Sequence, residues 1–310
     1  KDRNTMFKIG IIGSDNSHAD AFSKLLNVGL DPNDPQARLL CPDLKAYGNA
    51  MFPFPDYKVT AIFGTDEKRN KEVAEVGKIP YIAKTPEELF DKVDGVMVVW
   101  RHGDLHAKYA LPFIEKGMPT WIDKPFTINP KETDAIFAAA KKSGAVLAGG
   151  STVKYVPAIL DCKKAVEAAG DQFKGGSMTY AVSMENDYGN IFFYSQHLVE
   201  CALEVFGYGV KGVYGVSDGK NATAILKYAD KDCVLHFVSD NYRYRVLMHL
   251  GKETDYRDFD IPGSYFYGFS EFAKAIEAKK TLLSEAHMKE AVNVLWAVDQ
   301  SIKSGKEIGL

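Results

Sequence analysis

Apolar residues in the first half of the chain fall in short runs separated by amphipathic stretches. Residues 7–12 form one such run, closed by Gly13, and Ala19, Phe22, Leu25 and Leu26 then recur at helical spacing until Gly29. The alternation repeats, with strand patterns over 58–63, 95–100, 120–122 and 145–148 and helical patterns over 66–76, 104–116 and 130–142. Thr85-Pro86-Glu87-Glu88 and Asn129-Pro130-Lys131-Glu132 each set a capping residue before a proline, with Glu three residues after the cap. A helix is therefore predicted to open at both places. Strand and helix in alternation predict a doubly wound parallel sheet.

Segment 30–57 breaks this rhythm, with prolines at 32, 35, 42, 53 and 55. It is too long for an ordinary connection and reads either as a surface excursion packed on itself or as a lid or oligomer contact. The second half has a different pattern. A helix over 156–168 leads to a strand over 176–183 and a helix ending at Gly207. Strand patterns then follow over 210–216, 222–228, 233–239, 244–250 and 256–260, and two helices over 269–279 and 284–303 end the chain. Within 222–228, Ala224, Leu226 and Tyr228 share one face while Thr223, Ile225 and Lys227 share the other. These elements predict an α+β domain built on a large, mainly antiparallel open sheet.

Composition narrows the class. At about 150 residues per domain, 310 residues suggest two domains. Lys and Arg number 38 against 41 Asp and Glu, a net charge of −3, so there is no basic footprint for nucleic acid and no polybasic membrane patch. The longest apolar runs, 96–100 and 135–140, fall far short of the roughly 18 residues that a membrane span needs. The four cysteines, Cys41, Cys162, Cys201 and Cys233, include no C-x-x-C pair and suggest neither a zinc site nor a disulfide framework. No secretory signal pattern is evident; a cytoplasmic location is expected, with a removed leader left open.

Candidate chemistry starts at the first turn. Gly13-Ser14-Asp15-Asn16-Ser17-His18 follows a strand and opens a helix, the placement of a dinucleotide-binding turn. Gly13 stands at the first glycine of G-x-G-x-x-G, but Asp15 and His18 stand at the second and third. A carboxylate about 5 Å from a phosphate would be repelled by about 3 kcal/mol at an effective dielectric near 20. Asp15 must therefore point away, cap the helix, or signal weak or absent cofactor binding. His102 and His106, four residues apart, lack a third local ligand, and no metal site is expected.

Further motifs run in order along the chain. They are Asp94-Gly95-Val96-Met97-Val98-Val99-Trp100 followed by His106, then Glu115-Lys116-Gly117-Met118-Pro119-Thr120-Trp121-Ile122-Asp123-Lys124-Pro125. After them come Gly149-Gly150-Ser151-Thr152-Val153-Lys154-Tyr155-Val156-Pro157, Gln196-His197-Leu198-Val199-Glu200 with Gly207, and the ending Ser301 to Ile308. Together they resemble the Gfo/Idh/MocA family of NAD(P)-dependent oxidoreductases over nearly the whole chain. The family's Glu-Lys-Pro is here Asp123-Lys124-Pro125.

The resemblance implies a Rossmann-type domain, expected over 6–125, and a substrate-binding and oligomerisation domain over 126–310, with 130–149 able to rejoin the first sheet. It implies hydride transfer between NAD or NADP and a sugar, polyol or related hydroxy compound, in a homo-oligomer (dimer or tetramer). Lys124 would hydrogen-bond the reacting hydroxyl and His197 would act as general acid/base. This is sensible chemistry, since an imidazole titrates near neutrality and an ammonium stabilises a developing alkoxide. Cofactor contacts are expected from Gly13, Ser14, Asp15, Asn16, Ser17, Thr65, Asp66, Trp100, Arg101, His102, His106, Asp123 and Lys124. Lys154, Tyr155, Tyr188 and Tyr194 are candidates for substrate.

Three departures stand near one ligand. Phe193 replaces the acid that the family commonly carries one turn before the histidine. Arg101, His102 and Gly103 stand where Thr-Pro-Asn is usual, and Gly64 lies nearest the acid expected to bind the adenine ribose, so NAD and NADP are not distinguished. These changes keep two other readings open: a lyase or hydratase acting on an oxidised sugar, and a non-catalytic nucleotide- or sugar-binding protein on the same scaffold.

Overall fold

The computed structural model describes residues 6–29, 34, 37–42 and 53–310. Six strands, β1 (Phe7–Ile12), β2 (Tyr57–Phe63), β3 (Tyr81–Ile82), β4 (Gly95–Val98), β5 (Thr120–Ile122) and β6 (Leu147–Gly149), form a parallel sheet in the order β3-β2-β1-β4-β5-β6. The intervening helices are α1 (Ser17–Ser23), α2 (Ala37–Leu40), α3 (Glu67–Val76), α4 (Asp104–Glu115) and α5 (Pro130–Ser143). Both faces of the sheet are covered, which is why β4 is apolar at every position after its glycine. Met97 packs with Phe22, Leu25 and Trp121 on one face, while Val96 and Val98 pack with Phe113, Ile136 and Phe137 on the other. Strand order reverses between β1 and β4, and the loops after β1, β4, β5 and β6 all leave the same carboxyl edge. In doubly wound sheets that edge is where ligands bind.

Two local expectations change. α1 gives way to a π-helical turn over Lys24–Val28 before Gly29, and the Asn27 side chain there is held by Val59 and by the Gly77 carbonyl. At Thr85 the expected helix is a short 3-10 turn, Pro86–Leu89, with no cap bond from the threonine. Glu88, which a capping box would turn back to the cap, instead accepts from Tyr81 Oη at 2.5 Å and the Lys84 amide at 3.2 Å. Much of the proline-rich segment 30–57, including Pro32 and Pro35, lies outside the described residues. Its described part carries α2, with Leu40 and Cys41 buried in the first core.

The second sheet has seven strands: β7 (Phe173–Val182), β8 (Gly212–Ser217), β9 (Ala222–Lys227), β10 (Asp232–Ser239), β11 (Tyr244–Leu250), β12 (Glu253–Phe259) and β13 (Ile308–Gly309). Their order is β12-β11-β7-β10-β9-β8-β13, and β7 and β10 are a parallel pair in an otherwise antiparallel sheet. Helices α6 (Pro157–Ala169), α7 (Phe192–Phe206) and α9 (Glu285–Ser304) cover one face. The other face is left half-exposed, as the alternation at Thr223, Ile225 and Lys227 requires.

The two halves interlock. Helix α8 (Ser264–Ala278) brings Phe269, Phe272 and Ala273 into the first sheet's core. Met288 and Val292 of α9 join the core on that sheet's other face, while Val294, Leu295 and Val298 join the core of the second sheet. Among the described residues no helix is long and apolar enough to cross a membrane.

Candidate active site

The loop after β1 needs its glycine. Gly13 has φ +106°, and a Cβ there would sit 2.8 Å from the Trp100 amide nitrogen. Asn16 caps α1 by accepting from the His18 amide, and its Nδ2 is buried with no partner. Ser14 is buried and Ser17 begins α1. Both Asp15 carboxylate oxygens lie 3.4 Å from the Arg101 backbone nitrogen, so the side chain bridges two loops of the carboxyl edge. Burial raises the Asp15 pKa, partly offset by Arg101. At the end of β2, a Cβ on Gly64 would meet Ser14 Oγ at 2.2 Å, which leaves no room for an acid at that position. Asp66 is the N-cap of α3, Thr65 is exposed, and Arg69 Nε donates to the Ser14 carbonyl while its guanidinium pairs with Asp20.

Two candidates after β4 serve structure. His106 is fully buried, its Nδ1 lying 2.7 Å from the Pro125 carbonyl and its Nε2 2.9 Å from that of Trp100. It ties the loop after β4 to the loop after β5. Trp100 packs its indole against Tyr109 within the core. His102 pairs with Asp104 at 2.7 Å, and among the described residues no cluster of potential metal ligands occurs.

The loop after β5 presents two charged groups in succession. Asp123 is buried and lies 2.6 Å from His18 Nδ1, with Trp121 Nε1 donating to its other oxygen at 3.3 Å. Burial alone would raise its pKa, but His18 and Lys124 bring it below the ordinary value. Lys124 is 2% exposed, and its Nζ donates to the Phe193 carbonyl at 3.2 Å and lies 4.6 Å from the centre of the Phe193 ring. Burial, opposed by Asp123 and reinforced by Arg101, brings the ammonium down to about 8. At position 193, where the family commonly carries an acid, the lysine meets a carbonyl and an aromatic face.

His197 completes the cluster from α7. Its Nδ1 lies 2.7 Å from Ser151 Oγ, and its Nε2 has no hydrogen-bond partner among the described residues. Burial, with the charges of Lys124 and His18, holds its pKa well below the usual value, so the ring is neutral. Ser151 also donates its amide to Glu200 Oε1 at 2.8 Å, and Glu200 Oε2 accepts from Lys154 Nζ at 2.6 Å. Gly150, at φ +77°, permits this approach, because a Cβ there would lie 2.6 Å from the Glu200 carboxylate. Tyr188 and Tyr194 are half-buried beside the cluster. Tyr188 Oη accepts from Arg101, and the Tyr194 ring lies 5.5 Å from Lys124 Nζ and 5.8 Å from the Tyr242 ring.

Lys154 and Tyr155 are not brought to this cluster. They line a separate cavity of about 140 Å³ with Glu200, Glu204, Tyr208, Glu271 and His287, and neither Lys124 nor His197 borders it. Two residues left out of the expected contacts do belong to the cluster. His18 replaces a motif glycine and pairs with Asp123; a polar residue at that position was the signal available. Tyr265 of α8 packs edge-on to His18 with ring centres 5.1 Å apart. Burial, reinforced by Asp123, raises the Tyr265 pKa well above its usual value. No local pattern marks it, since the contact depends on α8 returning to the first sheet.

The model of an oxidoreductase family with an NAD-binding Rossmann fold, GFO_IDH_MocA, matches residues 44–151. Scyllo-inositol 2-dehydrogenase (NADP(+)) IolU of Bacillus subtilis (strain 168) is 25% identical over 232 residues, 67% of this chain and 66% of that protein, just under two thirds of its length. Among solved structures, scyllo-inositol dehydrogenase from Lactobacillus casei with bound NAD(H) and scyllo-inositol superposes with a TM-score of 0.77 at 10% identity, over 98% of this chain and 99% of that one. GenD2 from gentamicin A biosynthesis in complex with NAD gives 0.77 at 15% identity, over 100% and 98%. At these identities the structural matches show a shared fold.

Proposed function

The chain belongs to the Gfo/Idh/MocA oxidoreductase family, and on that premise we propose that it is an NAD- or NADP-dependent dehydrogenase of a polyol or sugar-like hydroxy compound. One observation carries the reading: the Lys124 ammonium has no carboxylate on it and shares one cluster with a neutral His197 whose Nε2 is uncommitted. The inositol dehydrogenases among the similar proteins support a polyol.

The residues present fit a dinucleotide. Gly13 gives the tight turn at the start of α1, and Asn16 Nδ2 is a buried donor without an acceptor. When bound, the dinucleotide supplies the acceptor for the hydride leaving the carbinol carbon. The chain's own groups handle the proton. Lys124 Nζ donates to the substrate oxygen and stabilises negative charge as it develops there. His197 Nε2 takes the hydroxyl proton, while Ser151 holds the ring through Nδ1. Asp123, bound to His18, keeps a negative charge next to Lys124 in the chain and so limits the fall of the lysine's pKa. We also propose a homo-oligomer through the open face of the second sheet, where Tyr214, Val216 and Tyr256 are exposed; analytical ultracentrifugation tests it.

The first test is titration with NADH and NADPH, followed by nicotinamide fluorescence and thermal stability, then oxidation of inositols and alditols with the preferred nucleotide. Saturable binding with a rise in stability, and nicotinamide reduction in the presence of a polyol, are expected. Absence of binding to folded protein would overturn the dehydrogenase reading.

A further inference from the structure

Every arginine at a described position except Arg101 is paired with a carboxylate. Arg38 pairs with Asp260, Arg69 with Asp20, Arg243 and Arg245 with Asp258, and Arg257 with Asp255. The Arg101 guanidinium instead lies 4.8 Å from the centre of the Tyr188 ring and 6.0 Å from that of Phe193, and Nη1 donates to Tyr188 Oη at 3.1 Å. Its Nε is buried with no partner. The nearby Asp15 carboxylate is directed at the Arg101 backbone amide, not at the guanidinium. A buried donor without an acceptor is a standing cost, and the guanidinium fork is the group best shaped to take two oxygens of one anion.

The position of this cation matters as much as its isolation. Lys124 and Arg101 both face the Phe193 ring, and Phe193 lies in the first turn of the helix on which His197 follows one turn later. We propose that Arg101 binds an oxyanion of the substrate, so that the compound oxidised is an anionic polyhydroxy compound, a sugar acid or a sugar phosphate. Its reacting hydroxyl lies at Lys124 and its charged group at Arg101. The proposal rests on the dehydrogenase reading for the hydroxyl and on Arg101 alone for the charge. The aromatic walls at Tyr188 and Phe193 supply no competing negative charge. A carboxylate at position 193 would have supplied one, which gives the replacement a chemical consequence.

Sorbitol, gluconate and sorbitol 1-phosphate share one polyol chain and differ in the group at the same end, so together they separate charge from shape and carboxylate from phosphate. Calorimetric titration of the NADH-loaded protein should show one of the two anions binding about tenfold or more tightly than sorbitol, the difference expected from one charge-assisted hydrogen-bonded contact. Arg101→Met should bring that ratio close to one. Arg101→Lys, which keeps the charge and loses the fork, should give an intermediate ratio and serves if the first variant does not fold. Equal affinity for all three compounds, no anion binding at millimolar concentration, or a preference that survives Arg101→Met would overturn the proposal. A preference that survives while NADH affinity falls would assign Arg101 to the cofactor phosphates instead. Turnover is read separately. Tight anion binding without nicotinamide reduction would sink the dehydrogenase reading and leave the anion site standing.

Discussion

Lys124 and Lys154 are both buried, and their surroundings drive them in opposite directions. Around Lys154, desolvation is outweighed by the Glu200 carboxylate at 2.6 Å, helped by Tyr155 and Glu204, and its pKa is raised. Around Lys124, desolvation wins. Its hydrogen-bond acceptor is the Phe193 carbonyl, its carboxylate neighbour Asp123 is committed to His18, and Arg101 adds like charge, so the pKa falls to about 8. A paired buried lysine is a fixed strut, while an unpaired one is destabilised as a cation and ready to be relieved by a ligand oxygen. One fold holds both, with Ser151 and Glu200 linking His197, beside Lys124, to Lys154.

The largest effect should come from breaking the first site. Lys124→Met should lower turnover by about 10²–10⁴, the range for loss of a group acting on the transferred proton and its charge. The same change should stabilise the folded chain. The lysine's folded pKa lies below its unfolded value of 10.5, so below about pH 8 the cost of a buried ammonium is fully present, and it disappears as the pH rises from 8 to 10.5. The substitution should therefore raise stability by up to about 3 kcal/mol at pH 7 and by little near pH 10.5. Denaturant unfolding of both proteins across that range checks the sign, and a destabilised variant at pH 7 would contradict it.

The opposite result is expected at the second site. Glu200→Leu leaves the Lys154 ammonium buried without a partner and should cost about 3–5 kcal/mol. The double change Lys154→Met/Glu200→Leu should recover most of that loss, because the penalty lies in the unpaired charge rather than in the missing attraction. Equal losses in the single and double variants, read from unfolding midpoints, would show that the Ser151 amide and Gln196 contacts of Glu200 matter more than its charge.

How much of this was legible in the sequence follows from the range of the interactions. The parallel sheet could be read because each strand is a short apolar run and several helices have local caps, such as Asp66 and Asn129. Thr85 misled because Glu88 had a better partner in Tyr81, a choice made by side-chain geometry and not by the capping pattern. The start of α8 at Ser264, ahead of the expected 269, depends on Gly263 donating to the Arg38 carbonyl at 2.6 Å, a contact across more than two hundred residues. At the site, Lys124 was marked by its place after a strand end, His197 by the family resemblance, and Arg101 by its departure from the family's usual residues. Tyr265 and the depressed Lys124 pKa were not readable, since both are set by what packs against them from the other half of the chain.

Phe193 offers a way to turn the first lysine into something nearer the second. If Lys124 must be protonated to stabilise the substrate oxygen, kcat/KM for alcohol oxidation should fall as pH rises through about 8. Phe193→Asp would put a carboxylate beside the ammonium and should move that fall upward by about one to three pH units. A pH–rate profile of the two proteins separates the possibilities. An unmoved limb would mean that another group titrates there.

The smallest effect concerns the link between the two lysines. Ser151 Oγ meets His197 Nδ1 at 2.7 Å and accepts from the Val153 amide at 3.2 Å, so the hydroxyl holds the imidazole in place. Ser151→Ala removes this hold but leaves the backbone amide on Glu200 and therefore leaves the Lys154 pair intact. The imidazole then gains freedom to turn about its Cβ–Cγ bond, and in the proposed reaction Nε2 would face the substrate hydroxyl for a smaller fraction of the time. A loss of about tenfold in kcat with little change in KM is expected, because orientation of a proton acceptor matters in the transition state more than in binding. Ser151→Thr, which keeps the hydroxyl, should restore most of it. A loss of stability with unchanged kcat would place Ser151 with the Lys154 strut alone and separate the two sites that the chain of hydrogen bonds now joins.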